Sequence, residues 1–199
     1  RVQPPSRWRY PAGMHGKQLL VGVAASTIAS LSGCSSPPDR TLTIAERSDY
    51  TRTATYAETV ALMDALADPS ALPGSRLLRK TSMGRTFEGR DIPMLILSDP
   101  PVTRPAEAFA SGKVVVLAFG NIHAGEVCGK EALPMLVREI VREPYAPWAR
   151  AILENTVLLV APIYNADGNE RFGPVERHRP GQVGPRMVGV RPNAQGLDL

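Results

Sequence analysis

A histidine and a glutamate three residues apart follow an apolar run in the stretch LAFGNIHAGEVCGKEAL, residues 117–133. An imidazole nitrogen and a carboxylate oxygen are both suitable donors for zinc. A catalytic zinc ion needs three protein ligands and an open position for water, so His123 and Glu126 would supply two of the three. The alternative is a histidine that is only hydrogen-bonded in a turn, and the pair alone does not decide between the two.

Other metal-binding side chains are scarce. His178 is the only further histidine after Cys34. Its neighbourhood, VERHRPGQ, is rich in arginine, and this positive charge would oppose a dication. We therefore interpret His178 as a loop residue or a substrate contact, with a ligand role as the alternative. Cys128 is predicted to be a small buried hydrophobic residue, although a ligand role stays open for it too. With two cysteines in the chain, no disulfide framework is indicated.

The segments around the pair predict an α/β sheet. The apolar run 113–121 is typical of a strand covered on both faces, and a second such strand is predicted over 156–163. A helix between them ends near Pro144, and Pro134 predicts an irregular start for it. Strand, helix and strand form a crossover unit, which indicates a largely parallel mixed sheet flanked by helices. Ligands of such sheets lie at the carboxyl ends of strands, where His123 falls.

The remaining elements are predicted from caps, periodicity and turn residues. Thr55 and Glu58 form a possible capping box at the start of an amphipathic helix. Residues 76–99 predict two strands joined by a turn in which Gly84 and Gly89 can take positive φ. Residues 169–199 are dense in glycine, proline and arginine without periodicity, and they predict a long functional loop.

The positive charge of the chain lies in its first segment. The formal net charge is +4, yet 19 basic residues meet 19 acidic ones from Cys34 onward, so nucleic-acid binding loses its main support. The stretch MHGKQLLVGVAASTIASLSGC has a basic start and a short apolar run, as an export signal does. Its end, LSGC, resembles the lipobox of bacterial lipoproteins, which predicts lipidation of Cys34. The alternative is an ordinary signal peptide with an incidental cysteine. Either way we expect export to the cell envelope, with membrane attachment only through an N-terminal lipid.

Four blocks together carry a family resemblance: TSMGRTFEGRDIPMLILSD, GNIHAGEVCGKEAL, APIYNADGNERF and GVRPNAQGLDL. In this order they resemble the opening part of the zinc carboxypeptidases, the carboxypeptidase A-like metallopeptidases. The resemblance implies a three-layer fold and Zn²⁺ held by His123 and Glu126. It further implies that Arg179 polarises the scissile carbonyl and stabilises the oxyanion, and that Asn165 and Asp167 shape a turn. The implied substrate is a peptide with a free C-terminus.

The resemblance also implies that part of the site is missing. The third zinc ligand and the general base of the family come from later in the domain, and the family continues after Leu199 with an Asn-Arg pair that grips the substrate carboxylate. We therefore expect the chain to be an inactive fragment of an enzyme, incomplete at the C-terminal side of its sheet. Gly125 is a departure, because some family members carry a substrate-binding arginine at that position.

Three functions remain open at this point. The leading hypothesis is an envelope-anchored zinc metallocarboxypeptidase. The second keeps the metal but changes the substrate: a zinc-dependent amidase or deacylase, or a hydrolase of cell-wall peptides. The third is a non-catalytic envelope lipoprotein. The predicted organisation is translated upstream sequence over 1–13, a lipoprotein-type signal peptide over 14–33, a tether and lead-in over 34–54, and the first part of a carboxypeptidase domain over 55–199.

Overall fold

A computed structural model describes residues 39–199, so the predicted leader and Cys34 lie outside the described residues. None of the helices within 39–199 is long and apolar enough to cross a membrane. The helices are α1 (Ile44–Arg47), α2 (Tyr56–Ala67), α3 (Pro105–Ala110), α4 (Cys128–Arg142), α5 (Pro147–Asn155), α6 (Ala166–Glu170) and α7 (Val175–His178). The strands are β1 (Leu78–Arg85), β2 (Asp91–Leu97), β3 (Val114–Phe119), β4 (Thr156–Ala161), β5 (Gly173–Pro174) and β6 (Met187–Val188).

Four strands form a mixed sheet in the order β1-β2-β4-β3. β1 and β2 form the predicted hairpin, and its turn uses positive φ at Gly84 (141°) and Gly89 (83°). β2 pairs with β4 in antiparallel fashion, whereas β3 and β4 are parallel. The predicted α/β class with a mixed, helix-flanked sheet is confirmed, although among the described strands of this sheet only β3 and β4 run parallel. The segment predicted as a loop after residue 169 contains α7 and the short β5–β6 ladder.

The hydrophobic core lies between one face of the sheet and helices α2, α4 and α5. Successive side chains of a strand point to opposite faces, so Leu95 and Leu97 of β2 enter this core while Ile96 faces α3 on the other side. Burying each leucine contributes about 2 kcal/mol. Helix α2 begins at the predicted capping box, in which Thr55 accepts from the backbone of Glu58.

Helix α4 connects the candidate site to the core. It runs without interruption from Cys128 to Arg142 through Pro134, so the prediction of an irregular start at that proline is wrong. Val137, Ile140 and Val141 of its inner face are fully buried. Their packing outweighs the backbone hydrogen bond that proline cannot donate.

Two carboxylates, those of Glu131 and Glu46, bond helix α4 to the segment that precedes α2. Glu131 of α4 accepts from Thr53 Oγ1 at 2.7 Å and from Ala54 N at 2.8 Å. Arg138 of α4 donates two bonds of 2.6 Å to the carboxylate of Glu46 in α1. These bonds from Arg138 outweigh the burial of Glu46 and lower its pKa to about 2. The lead-in is therefore an integral part of the folded unit.

Strand β3 is at the edge of the sheet and is exposed, so the prediction of a strand covered on both faces is wrong for residues 39–199. Its apolar side chains are 37 to 65% exposed at Val114, Val115, Val116, Leu117 and Phe119. Within the described residues, β3 pairs only with β4. A continuous apolar run predicts a strand covered on both sides, and within residues 39–199 no second strand lies beside β3.

Candidate metal centre

The loop between β3 and α4 brings His123 and Glu126 together. It begins at Gly120, where a Cβ atom would lie 2.7 Å from the backbone of Gly129, so only glycine fits against the first turn of α4. The amide of Glu126 donates to the carbonyl of His123 at 2.8 Å. The side chains consequently face each other, with 3.2 Å between His123 Nδ1 and Glu126 Oε2. The predicted pair is thus one cluster at the carboxyl end of β3.

The second nitrogen of His123 is held from the C-terminal segment. His123 Nε2 lies 3.2 Å from Asp198 Oδ1 and 3.2 Å from the carbonyl oxygen of Leu199. Both partners are acceptors, so we assign the hydrogen to Nε2. Arg191 Nη1, which can only donate, lies 3.2 Å from Nδ1, and this contact agrees with a lone pair on that nitrogen. A metal-binding histidine commonly donates its other N–H to a carboxylate in this way, which orients the ring and raises its basicity.

Two arginines border the same carboxylate. Arg179, predicted from the resemblance, places Nη2 3.0 Å from Glu126 Oε1. Arg191 lies 3.9 Å from the same oxygen and 3.2 Å from His123 Nδ1. Its guanidinium also donates to Asp198, at 2.9 Å from Nε and 3.1 Å from Nη2. Arg191 therefore contacts both metal-binding candidates, whereas Arg179 contacts only Glu126.

Arg191 and Asp198 are the two site residues that the sequence reasoning missed. Both lie in GVRPNAQGLDL, a block that contributed to the resemblance without any of its residues being assigned a role. The sequence contains one indication of Asp198. A metal-binding histidine commonly donates its other N–H to a carboxylate, and Asp198 is an acidic residue in one of the four blocks that carry the family resemblance. Which carboxylate it would be is decided only by the fold.

His178 and Cys128 have surroundings that do not resemble a metal site. His178 Nδ1 lies 3.0 Å from the carbonyl oxygen of Val188, and its ring fills the space where a Cβ atom on Gly173 would lie. It thereby fastens α7 to β6 and β5. Cys128 is exposed at the start of α4, so its prediction as a buried residue is wrong. Within residues 39–199, His, Cys, Asp and Glu form no group of three or more that could hold a metal ion.

The turn after β4 performs the structural role expected of it. Asp167 is buried, and its carboxylate accepts from Thr86 Oγ1 at 2.7 Å, from Glu88 N at 3.0 Å and from Arg90 at 2.7 Å. Burial opposes the ionisation of Asp167, but these bonds outweigh it and lower the pKa of the group. Asn165 caps α6 and donates to the carbonyl oxygens of Arg191 and Pro192, both at 3.2 Å. The turn therefore joins the β1–β2 hairpin to the segment that carries Arg191.

The residues present fit two positions of a zinc site. The lone pair of His123 Nδ1 and the carboxylate of Glu126 face the same space, and these are donors that zinc prefers. In this structure Arg191 Nη1 lies 3.2 Å from that nitrogen, so a metal ion would take the place of this contact. The exposed fractions of the two side chains, 20% and 41%, leave this space open to solvent.

Comparison with known protein families identifies the family of the chain. The model of the zinc carboxypeptidase family matches residues 61–199. The chain belongs to the zinc carboxypeptidase family. Zinc is the metal of this family, which agrees with the donors that face each other at the end of β3.

Curated relatives in this family include mouse (Mus musculus) carboxypeptidase D, which is 30% identical over 154 residues. That match covers 72% of this chain and 11% of the relative. The catalytic chain of human (Homo sapiens) carboxypeptidase N is 31% identical over 126 residues, covering 62% of this chain and 25% of the relative. The chain therefore spans a quarter or less of the length of these two relatives.

A metallo-carboxypeptidase from Burkholderia cenocepacia has a similar fold. The TM-score is 0.50 at 21% sequence identity, over 73% of this chain and 32% of that chain. At this identity the similarity concerns the fold, and it agrees with a mixed sheet flanked by helices.

Proposed function

We propose that this chain is the first part of a zinc metallocarboxypeptidase domain that hydrolyses the C-terminal peptide bond of peptides. The observation that carries the proposal is the orientation of His123, whose Nδ1 faces Glu126 at 3.2 Å while Asp198 holds Nε2. Because a catalytic zinc needs three protein ligands, the third ligand and the general base are assigned to residues beyond Leu199. The exposed apolar edge of β3 supports this assignment, since a further strand and its covering layers would bury it.

In this proposal the chain orients its two metal donors and supplies positive charge. Bound zinc would polarise the scissile carbonyl and lower the pKa of a water molecule. Asp198 keeps the hydrogen of His123 on Nε2, so that the lone pair of Nδ1 can bind the metal once the contact with Arg191 is displaced. Guanidinium groups beside such a site stabilise the negative charge that develops on the carbonyl oxygen during hydrolysis.

Arg179 and Arg191 are the two candidates for this stabilising role. Arg179 is proposed from the family pattern, and Arg191 from its position next to both donors. Replacement of each by lysine keeps the charge but removes the planar fork of donors. Replacement of the arginine that contacts the oxyanion is expected to lower kcat about 100-fold. Replacement of an arginine that only orients Glu126 is expected to change zinc affinity first.

An amidase or cell-wall peptide hydrolase is the second candidate, and Gly125 favours it. A Cβ atom on Gly125 would lie 3.3 Å from Arg179 Cβ and 3.3 Å from the carbonyl oxygen of Gly189. The backbone and side chains of the later segment thus line the position where some family members extend an arginine toward substrate. Assays that compare N-acylated dipeptides with the same peptides blocked as C-terminal amides separate the two. A carboxypeptidase requires the free carboxylate.

Export and lipid anchoring through Cys34 remain part of the proposal and concern residues outside 39–199. Metabolic labelling with a fatty acid tests this anchoring. Labelled protein is expected for the wild type and not for Cys34→Ala. Equal labelling of the two would overturn the anchoring and leave the catalytic proposal unaffected.

Zinc content and peptidase activity of a polypeptide extending beyond Leu199 test the catalytic proposal. His123→Ala is expected to lose both bound zinc and hydrolysis. His178→Ala is the matched control, because this histidine bonds to the backbone of Val188. If His123→Ala retains stoichiometric zinc, the ligand assignment is wrong. If it loses zinc while the wild type shows no hydrolysis, the chain belongs to a non-catalytic envelope protein that has kept the fold.

A further inference from the structure

Asn121 has an unusual backbone and side-chain environment two residues before His123. Its φ angle is +59°, in the left-handed region that few residues other than glycine, asparagine and aspartate adopt readily. The residue is 3% exposed. Its backbone carbonyl accepts from the amide of Asn165 at 3.1 Å, so the residue also joins the metal loop to α6.

The side chain of Asn121 closes the loop that carries the two donors. Its Nδ2 donates to the carbonyl oxygen of Ala124 at 3.1 Å, in a buried bond that spans the turn containing His123. The next backbone bond, from the amide of Glu126 to the carbonyl of His123, continues this turn into α4. Together the two bonds fix the backbone at both donors.

Glycine would adopt the same φ angle without steric cost, so the backbone alone does not explain an amide at this position. The amide also carries a cost, because Asn121 Oδ1 is one of two buried side-chain atoms within 39–199 that have no hydrogen-bond partner. The bond from Nδ2 to Ala124 is what the side chain contributes in return.

We propose that Asn121 is a positioning residue for the metal centre, and that its amide sets the loop conformation in which His123 Nδ1 and Glu126 face one ion. This inference rests on the proposed function, because it presumes that these two side chains bind the metal. It assigns Asn121 no contact with the metal or the substrate.

Zinc affinity tests the inference, measured with Zn²⁺ in competition with a chromophoric chelator on the same polypeptide extending beyond Leu199 that tests the proposed function. Asn121→Gly retains the φ angle and removes the amide. We expect its zinc affinity to fall about tenfold, the change that loss of one hydrogen bond produces in an equilibrium constant. Tyr50→Gly is the matched control, since Tyr50 has the same φ of +59°, and its replacement is expected to leave zinc affinity unchanged.

The outcomes separate this inference from the proposed function. A purely structural role would lower the thermal midpoint of Asn121→Gly while its zinc affinity, measured well below that midpoint, equals that of the wild type. That result overturns the inference. Equal zinc affinity of the wild type and His123→Ala would overturn the metal site itself, and the inference with it.

One measurement on the wild type keeps the inference testable if Asn121→Gly does not fold. The side-chain amide hydrogens of Asn121 are expected to exchange slowly with solvent, because the donor is buried and bonded to Ala124. Exchange at the rate of a free asparagine amide would show that the bond does not hold the loop, and would overturn the inference.

Discussion

The buried ammonium of Lys130 gives the chain a stability that depends on pH in the alkaline range. Lys130 is on α4, four residues after Glu126, and its side chain is almost fully buried. Its Nζ donates to the carbonyl oxygen of Ala54 and to Asn169 Oδ1, both at 2.5 Å, and lies 5.8 Å from the ring centre of Phe172. Burial lowers the pKa of Lys130 from its ordinary 10.5 to about 8, and it outweighs the negative charges of Glu131, Glu170 and Glu58, which act to raise this pKa.

The sign and size of the effect follow from this shift. Between pH 8 and 10.5 the unfolded chain holds a proton on Lys130 that the folded chain has lost, so folding becomes more favourable as the pH rises through this window. Each pKa unit corresponds to about 1.4 kcal/mol, so the gain approaches about 3 kcal/mol at the upper end. Below pH 8 the ammonium is charged in both states, and this contribution does not change with pH.

Urea unfolding of the wild type and Lys130→Met at several pH values from 7 to 10 measures the effect. We expect the difference in free energy of unfolding to grow with pH in favour of the wild type by about 2 to 3 kcal/mol. Lys80→Met is the control, because that ammonium lies near the surface in an ion pair with Asp64. A wild-type minus Lys130→Met difference that stays constant from pH 7 to 10 would refute the reasoning.

Three further predictions concern the ion pair of Glu46, the glycine that begins the loop between β3 and α4, and the exposed strand β3. Glu46→Gln should lower the free energy of unfolding by about 3 kcal/mol at pH 7. The stability that the Glu46 carboxylate contributes is present above pH 4.5 and is lost as the pH falls toward 2, so the free energies of unfolding of the two proteins should converge in acid. Gly120→Ala should lower the free energy of unfolding by about 1–3 kcal/mol, because the new Cβ would lie 2.7 Å from the backbone of Gly129. An unchanged thermal midpoint would contradict this close packing. Val116→Lys on exposed β3 should reduce aggregation without loss of helical circular dichroism, and equal light scattering would exclude this edge as the sticky surface.

Local patterns predicted the elements that position the site. The capping box at Thr55, the hairpin with Gly84 and Gly89, and the strands before His123 and Asn165 all depend on residues near one another in sequence. Such patterns are set by backbone conformation and side-chain periodicity, which a single sequence displays. The pairing of His123 with Glu126 was accessible for the same reason, since one short loop carries both.

Long-range contacts and tertiary packing were not accessible. The bonds from Asp198 and Arg191 to His123 cross most of the second half of the chain, and several acidic residues and arginines there were equal candidates. Helix α4 continues through Pro134 because its buried face is packed, which no local pattern reports. The exposure of β3 likewise depends on which strands are present beside it.

The anchor of the His123 imidazole has a consequence for biosynthesis. Leu199, whose carbonyl contacts His123, follows it by 76 residues, and Asp198 directly precedes Leu199. At the usual speed of a ribosome, roughly 4 to 15 s pass between synthesis of the histidine and of its anchor. During this interval neither Asp198 nor Leu199 is present to orient the ring of His123. An oriented imidazole therefore forms only after this segment has been made, so the end of the segment, and not only the loop that carries His123, preorganises the proposed site.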